Sequence, residues 1–390
     1  MAKEPASFES LFRSREIVIA CGPGGVGKTT TAAAMAATAA ATMGAKVLVV
    51  TVDPAKRLAD ALGISGIGNT VMDVPSKVFK NAGVTPQGSL SAAMLDTKES
   101  WDALINAHAP DEETKEKILG NPLYQNITSR FIQSHDYIAM ERLYELHSSG
   151  KWDLIVVDTP PTRNALDFLD APERMADFFS SKLLRWLVAP SRSSVVSFAT
   201  RPFTQIADRI LGTQFLQDIS EFFLSLESMY GGFIERARAV QRLLAEERTS
   251  FVVVSSSEMV PLREAEFFVD ELRKRNLDIG GVILNKVLPD SLSDPSVHAT
   301  AQRFADEREA LVSALVSQVG CEEDVARRVL ATVSSSYDDF SVVAERERQS
   351  RERFSRSDAP VMNVPYFDHD IYDMAGLLGL GHYLFPHLKK

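Results

Sequence analysis

Short apolar runs alternate with longer segments of helical periodicity along most of the chain. The runs are rich in β-branched residues and carry few charges, which is the pattern of strands buried on both faces of a parallel sheet. The predicted strands cover residues 17–21, 46–52, 89–95, 152–157, 250–254, 281–284 and 361–364. Their alternation with helical segments predicts an α/β fold with a doubly wound, mostly parallel sheet flanked by helices.

One connection between predicted strands is much longer than the others. Residues 158–249 fill it, whereas a whole βαβ unit needs only about thirty residues. We therefore expect a single domain over residues 1–390 with a helical insertion at 165–248.

The insertion carries two apolar stripes. Their pattern favours a role in the hydrophobic core, and the alternative is a groove exposed to a hydrophobic partner. The stripes are Met175, Phe179, Leu183 and Trp186, and Phe215, Ile219, Phe222, Leu226, Met229 and Phe233.

A glycine-rich loop joins the first strand to an alanine-rich helix. The spacing from Gly22 to Thr29 matches GxxxxGK[ST], in which backbone N–H groups and a helix N-terminus surround phosphate oxygens. Lys28 would reach the β- and γ-phosphates and take part in catalysis, and Thr29 would place its hydroxyl on Mg²⁺. This strand, loop and helix predict a P-loop NTPase. The residues predicted to contact the nucleotide are Gly24, Gly25, Val26, Gly27, Lys28, Thr29 and Thr30.

Two aspartates follow predicted strands. Asp53 comes after the strand at 46–52, and Asp158 follows the strand at 152–157. Because the carboxyl ends of parallel strands form the ligand-binding edge of an open sheet, both carboxylates can face the phosphates. Asp158 fits the Walker B position that holds Mg²⁺ or its water, so Thr29 and Asp158 are the predicted metal ligands. For Asp53, the N-cap of a helix starting at Pro54 is an equal and compatible interpretation.

Composition and charge limit the molecules that the chain can bind and the compartment in which it works. The net charge is −10 and the sequence pI is about 5.3, which argues against nucleic acid as a partner. The two cysteines, Cys21 and Cys321, form no CxxC pair, so a reducing cytoplasm fits best. We find no signal-peptide pattern and no run of eighteen apolar residues, and expect a cytoplasmic protein with at most peripheral membrane contact.

Three motifs in order give the chain a family resemblance. They are Gly24–Thr30, the Thr51-Val52-Asp53-Pro54-Ala55 segment and the Val157-Asp158-Thr159-Pro160-Pro161-Thr162 segment. Together they resemble the ArsA-type anion-transporting ATPases, whose family includes the ATPase that guides tail-anchored proteins to membranes. Within this family the chain is most similar to the BagB-like subunit of the paired actinobacterial ArsA-like ATPases.

The resemblance implies a dimeric ATPase that uses ATP and Mg²⁺. The family's water-activating aspartate would be Asp53, which makes Lys28 and Asp53 the expected catalytic residues. The adenine would be contacted by Asn285, whose side chain offers both a donor and an acceptor, and by the loop at Pro365. The implied output is nucleotide-driven transport of an anion or metabolite. The alternative is a nucleotide-gated chaperone or targeting factor for hydrophobic membrane-protein clients.

Two positions depart from the family pattern. Pro23 stands where the family has a signature lysine that commonly crosses the dimer interface, and proline carries no cation. We therefore expect the chain to pair with a second ArsA-like subunit that carries the lysine, or to hydrolyse ATP slowly as a homodimer. Arg163 introduces a cation after Asp158. The residues favour an ion pair with Asp167, and the alternative is compensation for Pro23 at the phosphates.

Overall fold

One sheet organises the computed structural model, which describes residues 8–52, 57–64, 68–125, 132–159, 162–182, 213–354 and 359–387. Its strands are β1 (Ile17–Cys21), β2 (Lys46–Thr51), β3 (Met72–Asp73), β4 (Ser89–Met94), β5 (Leu154–Asp158), β6 (Thr249–Ser256), β7 (Ile279–Val287) and β8 (Val361–Pro365). Their order is β3-β4-β2-β5-β1-β6-β7-β8, and only β3 and β4 pair antiparallel. The predicted doubly wound, mostly parallel sheet is confirmed.

Helices cover both faces of the sheet. In chain order they are α1 (Phe8–Ser14), α2 (Lys28–Thr42), α3 (Arg57–Ala61), α4 (Ser76–Asn81), α5 (Thr97–His108), α6 (Glu112–Gly120), α7 (Ile132–Ser148), α8 (Thr162–Ser180), α9 (Thr213–Leu226), α10 (Tyr230–Ala245), α11 (Met259–Lys274), α12 (Pro295–Asp306), α13 (Arg308–Val319), α14 (Glu323–Phe354) and α15 (Met374–Leu384). None of the helices within the described ranges is long and apolar enough to cross a membrane.

Alternation along the strands divides the core into two layers. In β1, Ile17 and Ile19 face one side of the sheet and Val18 and Ala20 face the other, as the two-residue period of a strand requires. The first pair packs with α7, α10 and α11, and the second with α1, α2 and α15. Because both faces are covered, the strands can be apolar throughout, which is why they are recognisable in the sequence.

The long connection after β5 builds a further helical layer, with helices α8, α9 and α10. Phe222, Leu226, Met229 and Phe233 of the predicted stripe are buried there, together with residues of α5, α6 and α7. These four residues therefore form part of the core in this conformation. Leu183 and Trp186 of the stripes lie outside the described residues. The boundaries 165–248 of the insertion stay a prediction, because the layer shares its core with earlier helices.

Between β2 and β4 the chain forms the short strand β3 and the helix α4, which are too short for sequence periodicity to reveal. The helix α7 begins at Ile132 as described, and residues 126–131 lie outside the described part.

Helix α2 follows the glycine-rich loop and is buried almost all round, because its alanines let neighbouring elements approach closely. Its tightest neighbour is α15: a Cβ built on Gly381 would lie 1.9 Å from the Thr38 hydroxyl oxygen. On the same helix α15, a Cβ on Gly379 meets nothing within 4 Å. The close approach of α15 to α2 therefore depends on Gly381.

We expect Gly381→Ala to lower the free energy of unfolding by about 1–3 kcal/mol, because the added methyl group overpacks a buried contact. The matched control Gly379→Ala should be neutral or stabilise by about 0.5–1 kcal/mol, since alanine restricts the unfolded chain more than glycine does. Urea denaturation measures both. Thr38→Ala should restore part of the loss in Gly381→Ala, and equal stabilities of the two glycine variants would contradict the close packing.

Candidate active site

The glycine-rich loop leaves the carboxyl end of β1, where the direction of the chain connections reverses. The strands β5 and β6 follow one another along the chain but flank β1 on opposite sides. In open α/β sheets such a reversal leaves a crevice at the carboxyl edge, and ligands bind there. The loop, the end of β5 and the start of α2 therefore meet at the expected ligand edge.

Positive φ angles give the loop its shape. Gly22 has φ 143°, Gly25 has φ 77° and Gly27 has φ 93°, a region that glycine occupies without steric cost. A Cβ on Gly22 would also lie 2.0 Å from the carbonyl oxygen of Val254, so the loop crosses close to β6. The first turn of α2 contains no acidic residue, and its N-terminal N–H groups carry partial positive charge. This geometry suits a phosphate group.

The Lys28 side chain folds back over the loop. Its Nζ donates a hydrogen bond to the carbonyl oxygen of Pro23 at 2.8 Å, and the residue is 7% exposed. The ammonium group is thus held inside the curve of the loop by a backbone oxygen. Pro23 contributes to the site through this carbonyl, although it lacks the cation of the family's lysine.

The Asp158 carboxylate joins three elements. Its Oδ2 accepts hydrogen bonds from the Thr29 hydroxyl at 2.7 Å and from the Thr51 hydroxyl at 3.0 Å. The strand register places Asp158 opposite Thr51 on one side and Ala20 on the other. Asp158 is fully buried, and the two donors offset part of the cost of burying a charge. The predicted pair Thr29 and Asp158 therefore lies in direct contact.

Thr51 was not among the predicted site residues. It is the last residue of β2, and β5 is its direct neighbour in the sheet. In the sequence, Thr51 is recognisable only as a hydroxyl residue at the carboxyl end of a strand, shortly before Asp53. Its contact with Asp158 cannot be predicted, because the strand beside β2 is not known without the strand order. On the other side of Asp158, the Thr159 hydroxyl donates a hydrogen bond to the carbonyl oxygen of Ala20 at 2.9 Å. It fixes the chain where it leaves β5.

The predicted adenine residues lie at the same edge of the sheet, at the ends of β7 and β8. Asn285 donates from Nδ2 to the carbonyl oxygen of Val26 at 2.8 Å, and its Oδ1 accepts from the Lys286 N–H at 2.9 Å. Its side chain therefore braces the glycine-rich loop in this conformation. Pro365 ends β8, the edge strand beside β7. Their contact with adenine stays a prediction.

Two predicted residues cannot be placed by their side chains. Asp53 lies outside the described residues; the chain before it is held beside the site, since the Val52 N–H donates to the Asp158 carbonyl oxygen at 3.1 Å. Arg163 belongs to α8, but its side chain is outside the described part. The roles proposed for both side chains stay predictions.

The donor set at Asp158 fits Mg²⁺. The Asp158 carboxylate and the Thr29 hydroxyl supply hard oxygen atoms, and the Thr51 hydroxyl holds the carboxylate in place. Mg²⁺ is usually held by one or two carboxylates together with substrate phosphates. Elsewhere in the described ranges, no three His, Cys, Asp or Glu side chains come together as a metal site. Asp368, His369 and Asp370, which suggest a metal motif in the sequence, are exposed.

The fold and the loop define the chain as a P-loop NTPase, and comparisons with known proteins give its family. A model of the anion-transporting ATPase family matches residues 15–318. The ATPase get3 of Schizosaccharomyces japonicus is 25% identical over 73% of this chain and 79% of the relative. The ATPase get3 of Schizosaccharomyces pombe is 24% identical over 87% and 88% of the two chains. A putative arsenical pump-driving ATPase of Aquifex aeolicus is 25% identical over 71% of this chain and 64% of the relative.

The chain therefore belongs to the anion-transporting ATPase family. This confirms the predictions of an ArsA-type fold and of a nucleotide-binding ATPase.

We expect Asn285→Ala to lower the free energy of unfolding by about 1–3 kcal/mol without nucleotide, because it leaves the Val26 carbonyl without this donor. The exposed Asn363 on the neighbouring strand β8 supplies the control, Asn363→Ala, with an expected change within about 0.5 kcal/mol. Denaturation of both variants measures the difference. Unchanged stability of Asn285→Ala together with a lost preference for ATP over GTP would assign the side chain to adenine alone.

Proposed function

We propose that this chain binds ATP with Mg²⁺ at the carboxyl edge of β1 and β5 and uses the hydrolysis as a conformational switch. The observation that carries the proposal is the cluster of Lys28, Thr29, Thr51 and Asp158 around one glycine-rich loop. The buried ammonium group suits the negatively charged phosphates. The oxygen atoms at the loop and at the two strand ends suit the metal bound to them.

Thr29 and Asp158 are the residues proposed to hold the metal, with Thr51 orienting the carboxylate. When bound, Mg²⁺ neutralises negative charge on the phosphate oxygens. Lys28 would exchange its hydrogen bond to the Pro23 carbonyl for one to a phosphate oxygen. The loop amides and the N-terminus of α2 stabilise the charge that develops on the transferred group.

Asp53 is proposed to position and activate the attacking water. The position of Val52 beside Asp158 supports this role, because it brings the chain that leads to Asp53 to the site. A carboxylate there accepts a proton from water as the nucleophile attacks. A change in the contacts of this carboxylate between the ATP-bound and ADP-bound forms would act as a switch in the segment after β2.

We expect Asp158→Asn to lower ATP turnover about a hundredfold and to weaken its dependence on Mg²⁺, in line with the effect of losing groups around a bound metal. The matched control is Asp153→Asn, which lies just before β5 at the opposite edge and accepts from the Lys46 N–H. Phosphate release over a Mg²⁺ series measures both variants. Turnover of Asp158→Asn equal to that of the control would contradict the assignment.

The active form is proposed to be a dimer, with a heterodimer favoured over a homodimer. Pro23 supports the pairing with a second ArsA-like subunit, since the lysine that commonly reaches across the family's interface has no equivalent in this chain. The partner would supply that cation. A similarity to the BagB-like subunits agrees with such a pair and belongs to the same proposal.

The output is proposed to be coupling to anion or metabolite transport. A targeting factor for hydrophobic membrane-protein clients is the second candidate, and the similarity to the get3 ATPases supports it.

We expect Asp53→Asn to keep MgATP affinity within about threefold of the native chain while turnover falls about 10²–10⁴-fold, because a general base acts on the chemical step. Calorimetric titration and single-turnover phosphate release separate the two quantities. Equal losses in affinity and turnover would contradict a role as base.

Held with ATP, the same variant serves to capture the partner. A second P-loop subunit among the co-purified proteins supports the hetero-pair, and a membrane pore protein supports transport. If hydrophobic membrane proteins are the most abundant co-purified proteins, targeting is favoured over transport.

A further inference from the structure

The helix α14 is the longest in the described part of the chain and lies beyond the residues matched by the family model. Its C-terminal half is anchored close to the nucleotide edge. Glu347 accepts from the Leu288 N–H at 3.4 Å, and Arg351 donates to Asp290 at 2.8 Å, both in the segment that follows β7. Because this end is fixed, the rest of α14 is presented at a defined angle.

The N-terminal and middle parts of α14 expose a stripe of apolar residues, which we call the α14 stripe. At about 100° per residue the members fall within a narrow arc of the helix surface. Over this part of the helix, the buried side is the adjacent one, where Ala326 and Leu330 pack against α13. The contacts of Glu347 and Arg351 with their own chain lie beyond the α14 stripe, toward the C-terminus. Its members are Val325, Val329, Val333, Phe340 and Val343, which are 38–52% exposed.

Two exposed charges of opposite sign flank the α14 stripe on the same side. Arg328 and Asp339 are eleven positions apart, about 16 Å along the helix, too far to pair within one chain. If a second α14 packs antiparallel about a twofold axis near residues 333 and 334, Arg328 of each copy lies opposite Asp339 of the other. A parallel pair in register would instead place this flank on opposite sides of the contact in the two copies, so that neither charge would meet its counterpart.

The register set by these charges also fits the apolar residues. With the axis between residues 333 and 334, Phe340 of one copy lies opposite position 327 of the other, between Val325 and Val329. Val333 of the two copies meet at the axis. The largest side chain of the stripe therefore enters a gap between two smaller ones, as in knobs-into-holes packing. The apolar side chains therefore fit the register that the charges give.

We propose that the α14 stripe is a docking surface for a second copy of this chain, with the two α14 helices antiparallel. The contact is isologous, because the same patch serves both copies. Glu347, which contacts the segment after β7, lies about 20 Å from the axis along the helix, so the two Glu347 residues are roughly 40 Å apart in this direction. This contact therefore leaves the nucleotide edge free to pair with another subunit.

Charge reversal tests the register. In the full chain without nucleotide, Arg328→Glu alone and Asp339→Arg alone should each weaken the homodimer roughly tenfold or more, since each places two pairs of like charges in contact. An equimolar mixture of the two single variants should associate again. In the mixed dimer the introduced glutamate faces the introduced arginine, and the unchanged Arg328 of one copy faces the unchanged Asp339 of the other. The double variant should also recover, and sedimentation equilibrium over a concentration series measures each association.

The control is Asp338→Arg, which reverses an exposed charge on the opposite side of α14 and should leave the association unchanged. Thermal melts of the single variants verify that the fold is kept. A native chain that stays monomeric throughout the concentration series would overturn the proposal. So would a dimer insensitive to both single reversals, or single variants that fail to recover when mixed.

Discussion

The hydrogen bonds that the buried Asp158 carboxylate accepts from Thr29 and Thr51 hold the site together. They join the P-loop helix to the ends of two strands that are distant in sequence. A carboxylate without exposure to water needs such donors, because burying an unpaired charge is costly. The same oxygen atoms are hard donors suited to a divalent cation, so stabilisation of the fold and preparation of the site rest on one group.

The surroundings of this carboxylate keep the loop in one shape. Alanines in α2 allow it to lie close to the sheet, and Gly381 allows α15 to close over it. On the other side, Asn285 ties Val26 to the end of β7. Each of these contacts lies outside the glycine-rich motif, yet each limits how far the loop can move. Movements on nucleotide binding are therefore expected to involve β7 and the segment beyond it.

Much of the sheet was predictable because its strands are covered on both faces and appear as continuous apolar runs. The motif at 22–29 and the pair Thr29 and Asp158 were predictable from residue type and spacing. Thr51 was not, because its role depends on β2 and β5 being neighbours, and strand order is a property of the whole fold. The bracing role of Asn285 was missed for a similar reason: its backbone partner, Val26, is not encoded in any local pattern.

A calorimetric titration of the native chain with ATP, in Mg²⁺ and in a chelating buffer, shows whether the Asp158 cluster binds a metal-bound nucleotide. We predict one molar equivalent of bound ATP and an affinity at least about tenfold higher with Mg²⁺, consistent with the effect of groups around a metal. Absence of binding, or an equal affinity in both buffers, would contradict the role of the Asp158 cluster in binding a metal-bound nucleotide.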